Sequence, residues 1–201
     1  RVLKSWLRLL MLTLPSPWEI TGLLKELIDN FIYVAESEDY LVAVLDEYPP
    51  AAQSWSLSCS HGHPDEGYTC GLWELFHAVT VGVVDHNKAV FYPDDLLATE
   101  SVARTIRDYV DNFFGCEICR KHFVTTFDAC GHNRCTQLSQ EVSADDESAW
   151  IQLPLWLHET HNAVNVRLVT EKAARENREV TNVDAARWPS RHECSLCRND
   201  D

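Results

Sequence analysis

The chain has 201 residues, 45% hydrophobic and 24% charged, a balance that suits one folded core with a short appendage and excludes a disordered chain. A formal net charge of −14 argues against nucleic acid and anionic membranes as partners, because both select basic surfaces. The eight cysteines, Cys59, Cys70, Cys116, Cys119, Cys130, Cys135, Cys194 and Cys197, fall in four local pairs, a usage that suits an oxidising compartment or a redox enzyme.

In chain order, the apolar stretch from Val2 to Leu14 is too short to span a bilayer, contains Lys4 and Arg8, and lacks a small-residue cleavage site. It reads as a buried amphipathic helix with Trp6, Leu7, Leu10 and Leu14 on one face, ended by Pro15 and Pro17. Trp18, Ile20, Leu23, Leu24, Leu27, Ile28 and Phe31 then form a 3.6-period stripe. Pro49-Pro50 and Gln53-Ser54 read as a linker, and Cys59 to Cys70 as a polar loop. Leu72 to Val84 predicts a helix. Thr99 or Ser101 caps another that runs to Phe114 and ends at Gly115. A third runs from about Cys116 to Ala129, Cys130 to Ala144 reads as loop, and a long helix covers about Ser148 to Glu176. A polar connection leads to Trp188-Pro189 and a last turn with Cys194 and Cys197. Strand alternation is absent, so the expected fold class is all-α, a bundle of four or five helices. The start at Arg1 reads as a fragment of a longer protein.

Cys116-Glu117-Ile118-Cys119 opens a predicted helix, where unpaired N–H groups stabilise a thiolate. A bridge across two residues constrains little chain entropy, which favours a redox use. Metal binding is the alternative: Cys194 and Cys197 supply a second CxxC, although the separation far exceeds ordinary zinc spacing. Trp73 and His77 share a helix face, and His122 follows Cys119 by one turn. His158, His161, Asn162 and Asn165 make a polar stripe on the long helix. That stripe is either a solvated face or a cofactor cradle whose imidazoles and amides meet a flat heterocycle, with Trp73 and Trp188 as stacking faces.

Cys70-Gly-Leu-Trp73-Glu-Leu-Phe-His77, Asn112-Phe-Phe-Gly-Cys116-Glu-Ile-Cys119-Arg-Lys-His122-Phe and Leu155-Trp-Leu-His-Glu-Thr-His161-Asn162-Ala-Val-Asn165 together resemble the Erv/ALR sulfhydryl oxidase module. Trp55 leading to Cys59 and Cys70, Trp188-Pro189, and Cys194-Ser-Leu-Cys197 resemble its quiescin branch. The resemblance covers about residues 55 to 198. It implies an Erv/ALR-type four-helix bundle with a short fifth helix and a non-covalent FAD. It implies that Cys119 lies beside the flavin and that Cys116 exchanges with reduced dithiols. It implies further that electrons pass to the flavin and then to dioxygen, giving hydrogen peroxide. Trp73, His77, His122, His158, His161, Asn162, Asn165 and Trp188 match flavin-contacting positions.

The resemblance also makes Cys59–Cys70 a structural disulfide and Cys194–Cys197 structural rather than catalytic. Cys130 and Cys135 have no counterpart in the family pattern; their spacing suggests a local disulfide, with two free thiols as the alternative. Glu66 stands where the family often has a basic residue. Val183, Asp184 and Ala185 stand near where it often has a lysine, for which Arg187 is a substitute. Residues 1–50 resemble a degenerate Erv-like region that precedes the oxidase domain at 51–201. Its Leu23–Phe31 stripe is expected to pack where a second subunit would sit, which implies a monomer. Thioredoxin-like domains would lie N-terminal to the segment, in a protein of the secretory pathway. A zinc-stabilised interaction module using Cys116, Cys119, Cys194 and Cys197, and a flavin-free binding relic, are the competing readings.

Overall fold

The computed structural model describes residues 1–15, 18–49, 55, 59, 63, 67–180, 182–192 and 194, without the side chains of Trp18 and Glu19. Among these residues the chain is helical and has no strand. The first segment folds into α1 (Val2–Thr13), α2 (Trp18–Asp29), α3 (Phe31–Glu36) and α4 (Glu38–Asp46). Leu14, which precedes Pro15, is extended (φ −81°, ψ 133°), because proline disfavours a helical residue before it, and α1 ends there. The Ser37 hydroxyl accepts from the Tyr40 N–H at 3.2 Å and caps α4.

The main bundle is α5 (Tyr68–Ala89), α6 (Thr99–Phe113), α7 (Glu117–Asp128), the short α8 (Arg134–Gln137) and α9 (Glu147–Arg175). 3-10 turns lie at Pro93–Asp95, Gly131–Asn133 and Val183–Ala186. The core is built from α1, α5, α6 and α9, with Val79, Val83, Ala103, Ile106, Leu153 and Leu157 fully buried. Burial of such side chains stabilises a fold by roughly 1.5–3 kcal/mol each. Gly82 permits the closest helix crossing: a Cβ there would lie 1.8 Å from the Thr13 carbonyl oxygen, so α1 can lie on α5 only over a glycine. Among the described residues no helix is long and apolar enough to cross a membrane.

Several details differ from the sequence reading. The bundle is met by α1, through Trp6 and Leu9, and not by the Leu23–Phe31 stripe. That stripe buries Leu24, Leu27 and Ile28 in the layer that packs on α1, while Ile20 is exposed. The reason is size: Trp6 stacks on Tyr109 at 4.5 Å and meets Phe76 edge-on at 5.7 Å, a fit that α2's aliphatic face does not offer. Helix α5 starts four residues before Leu72 and runs five beyond Val84. Neither Thr99 nor Ser101 caps α6; its N-cap is Ala98. The Thr99 hydroxyl instead accepts from the Ser139 N–H at 3.0 Å, and the Ser139 carbonyl accepts from the Glu100 N–H at 3.1 Å. The helix start is thus satisfied by a neighbouring segment. At the other end Phe114, extended and buried, is the C-cap, and Gly115 lies beyond it. The expected loop after Ala129 contains the 3-10 turn and α8. It also buries Arg134 against Glu100, with N–O distances of 2.7 and 2.6 Å.

Candidate functional site

Helix α7 begins at the CxxC. Cys116 is its N-cap, extended at φ −78° and ψ 97°, and its Sγ accepts from the Cys119 N–H at 3.3 Å. Asn112-Phe113-Phe114-Gly115 leads into this start, and Arg120 donates to the Phe114 carbonyl at 3.3 Å, which fixes the approach. Cys116 and Cys119 are joined in a disulfide with Cα atoms 5.3 Å apart. Two of the four sulfurs that the zinc reading uses are therefore bonded to each other. The two sulfurs differ in surroundings: Cys116 is exposed, whereas Cys119 is half-buried and lines a cavity.

That cavity has a volume of about 960 Å³, at the upper end of cofactor-sized pockets. It lies between α5, α7 and α9. Cys119, His122, Phe123 and Thr126 face it from α7, at the i, i+3, i+4, i+7 spacing of one helix face. Trp73 and Phe76 face it from α5; Thr160, His161, Val164, Asn165, Arg167 and Leu168 face it from α9. Trp73 and His161 stack with ring centroids 4.2 Å apart and 4° between planes. His161 Nδ1 lies 3.1 Å from His77 Nε2, so one ring donates to the other. Burial holds His161 down at about 4, aided by the neighbouring His77 and His158; burial also lowers His77, with His158 contributing. Both rings are neutral at pH 7, so they form a flat, uncharged, polar wall.

The predicted stripe on α9 divides. His161 and Asn165 line the cavity; His158 and Asn162 are not among its lining residues, nor is Trp188. Asn162 Nδ2 donates to the Trp188 carbonyl and its Oδ1 accepts from the Trp188 N–H, both at 2.8 Å. His158 Nε2 is 3.0 Å from Asn162 Nδ2, and its ring meets Trp188 edge-on at 6.0 Å. These three fasten the segment after the Val183–Ala186 turn to α9. A helix turns 100° per residue, so four residues at 158, 161, 162 and 165 cover two adjoining faces. His77 is not among the lining residues and stands behind two that are, His161 and Trp73.

Sequence reasoning missed Arg167, Thr160, Phe123, Thr126 and His132 among the lining residues. Arg167 follows Asn165 by two and pairs with Glu171 at 2.8 Å. Extending the α7 stripe from Cys119 and His122 by one turn would have found Phe123 and Thr126; nothing local marks His132. Arg187, the proposed stand-in for a family lysine, is exposed and not among the lining residues. Glu66 lies outside the described residues. Cys59 and Cys70 are bridged, with Cα atoms 5.3 Å apart, and both line the cavity. Cys130 and Cys135 are bridged as well. Cys197 lies outside the described residues, so its pairing with Cys194 is not described.

A sequence model described as "Erv1 / Alr family" matches residues 70–189. "Sulfhydryl oxidase 1" of Rattus norvegicus is 32% identical over 145 residues, 72% of this chain and 17% of that protein. "Sulfhydryl oxidase 1" of Gallus gallus is 30% identical over 200 residues, 99% of this chain and 22% of that protein. "Sulfhydryl oxidase 2" of Homo sapiens is 33% identical over 140 residues, 67% of this chain and 17% of that protein. The chain thus spans 17% to 22% of the length of these relatives. Among solved structures, "Sulfhydryl Oxidase Fragment of Human QSOX1" superposes with a TM-score of 0.65 at 23% identity, covering 100% of this chain and 75% of that one, and has the same all-α fold.

Proposed function

The chain belongs to the Erv1 / Alr family, and from that premise we propose that it is the flavin-bearing module of a thiol oxidase. The observation that carries the reading is the asymmetry of one disulfide: Cys116 in solvent, Cys119 in the wall of a cofactor-sized cavity. The donor set fits FAD. Trp73 and His161 present stacking faces, Phe123, Val164 and Leu168 present apolar ones, and His122, Asn165 and Arg167 present hydrogen-bond donors and a cation. Thr160 adds a buried hydroxyl with no hydrogen-bond partner among the described residues. In this reading Trp73, His161, His122 and Asn165 hold the cofactor. His77 orients His161, while His158, Asn162 and Trp188 close the site from the tail side.

When bound, FAD supplies a two-electron acceptor for a dithiol and a route for those electrons to dioxygen, with hydrogen peroxide as product. The chain's own part is thiol exchange. A donor thiolate attacks the accessible Cys116 Sγ; the Cys116–Cys119 bond breaks and Cys119 leaves as a thiolate inside the cavity. The donor's second thiolate then attacks its own sulfur in the mixed disulfide. The donor departs oxidised, and Cys116 is released as a thiolate. The helix N-terminus and the Cys119 N–H stabilise that leaving thiolate, which speeds release. Net, one donor dithiol becomes a disulfide and the CxxC becomes a dithiol.

The same reading extends to the whole protein. Residues 1–50 are a degenerate Erv-like region and 51–201 the oxidase domain. Thioredoxin-like domains elsewhere in the protein deliver electrons, the module is monomeric, and the protein works in the secretory pathway. The test is direct. The purified chain is expected to be yellow with flavin absorbance, and to consume oxygen when given dithiothreitol. Colourless protein that neither binds FAD nor consumes oxygen would overturn the assignment.

A further inference from the structure

Cys130 and Cys135 play no part in the exchange chemistry, yet the ring they close is unusually constrained. Its backbone is left-handed at Cys130 (φ 59°), His132 (φ 54°) and Asn133 (φ 55°), a conformation that residues other than glycine seldom adopt. Three contacts hold it there. Arg134, 4% exposed, grips Glu100 and donates Nε to the Phe127 carbonyl at 2.9 Å. Trp156 Nε1 donates to the Gly131 carbonyl at 3.3 Å. Gly131 sits so close to Thr126 that a Cβ would fall 2.4 Å from its methyl carbon. Local strain of this kind persists where the surroundings over-determine it, often at a binding site. The side chain that this ring presents to the cavity is His132.

Thr160 lies one helical turn beyond Trp156, on the same side of α9 as the ring. It lines the cavity, is 3% exposed, and its Oγ1 has no hydrogen-bond partner among the described residues. The other buried helix threonines of this chain have partners: Thr13 donates to the Leu9 carbonyl at 2.8 Å, Thr80 donates to the His77 carbonyl at 3.0 Å, and the Thr99 hydroxyl accepts from the Ser139 N–H at 3.0 Å. Thr160 has none among the described residues. A buried hydroxyl left unpaired is unfavourable and marks a place for a ligand atom.

We propose that Thr160 and His132 form a hydrogen-bonding subsite for the cofactor, with the Cys130–Cys135 ring and Arg134 acting as positioning elements. This rests on the flavin reading above. Thr126, which borders the subsite, is seven residues along α7 from Cys119, about 10 Å. The His132 side of the subsite therefore lies well along α7 from the exchange disulfide. A hydroxyl both donates and accepts, and a neutral imidazole does one of each. The matching group is a heterocycle edge with adjacent ring nitrogen and carbonyl or amino groups. Both the flavin ring and adenine carry one.

The test is titration of the apo chain with FAD, followed by flavin fluorescence. Thr160→Val and His132→Ala are each expected to raise Kd roughly tenfold, with Thr160→Ser within about twofold of wild type. A Cys130→Ser/Cys135→Ser double variant is expected to weaken FAD in the same direction, and His132→Ala added to it to cost less than it does alone. Riboflavin and ADP as probes distinguish the sources: a loss seen with riboflavin assigns the ring edge, and one seen with ADP the adenine edge. His132 is partly exposed, so His132→Ala keeps the test readable if Thr160→Val fails to fold. Folded Thr160→Val and His132→Ala chains that bind FAD like wild type would overturn the subsite alone. A wild-type chain that binds no FAD would overturn the flavin reading and the subsite together.

Discussion

Helix α7 carries a disulfide at each end, and the two differ in what their sulfurs meet. At the N-terminal end, one sulfur faces solvent and the other the cavity. At the C-terminal end, Cys130 and Cys135 are both exposed, and the residues between them matter more than the bridge: Arg134 is driven into the core and His132 to the cavity. A relay needs sulfurs in two environments, so that a donor can reach one while the other is shielded. A staple needs only proximity. Spacing in the sequence, two residues against four, only leans towards a redox use for the shorter pair; burial separates the two.

The largest expected effect tests the relay end. Cys119→Ser should lower dithiol-dependent oxygen consumption by at least about a thousandfold, roughly 4 kcal/mol of barrier, with the fold retained by circular dichroism. Near-normal turnover would remove Cys119 from the pathway. The next falls on the staple end. Glu100→Ala leaves Arg134 buried without its carboxylate and should cost about 3 kcal/mol, lowering Tm by roughly 6–12 °C. A drop under about 2 °C would mean that the pair carries little of the loop's stability.

Breaking the staple itself should do less. Closing so short a loop is worth about 2 kcal/mol in the chain-entropy model, so Cys130→Ser/Cys135→Ser should shift the unfolding free energy read from urea titration by that amount. No shift would show that Arg134 and Trp156 hold the ring unaided. The smallest effect concerns the wall between the two ends. His161 titrates at about 4 in the folded chain, against an ordinary value near 6.5. Between these values the unfolded chain binds more protons, so stability is full above pH 6.5 and declines as pH falls towards 4. His161→Asn should flatten that part of the pH–stability profile. An unchanged slope would assign it to other groups.

Much of this was legible from residue types. The 3.6-residue periodicity and the lack of alternation implied an all-α bundle, and α9 was expected within a residue of each observed end. Trp73, Cys119, His122, His161 and Asn165 were singled out by spacing and resemblance and all line one cavity. Less was legible where contacts come from distant segments. The start of α6 is satisfied by Ser139, forty residues on from Thr99, and capping rules see only neighbours. The α2 stripe has the right period for a buried face but does not say which layer it faces. His132 sits among polar residues that read as loop.

The sequence by itself determined which segments coil into helices and which cysteines can reach each other locally, since both follow from short-range geometry: the helical repeat and the reach of a few residues. Tertiary structure alone decided that α1 and not α2 joins the core, that Asn162 ties down Trp188 while Asn165 faces the cavity, and that Thr160 is left unpaired. Each of these depends on burial, which is a property of the whole packing and is not encoded within any one stretch of chain.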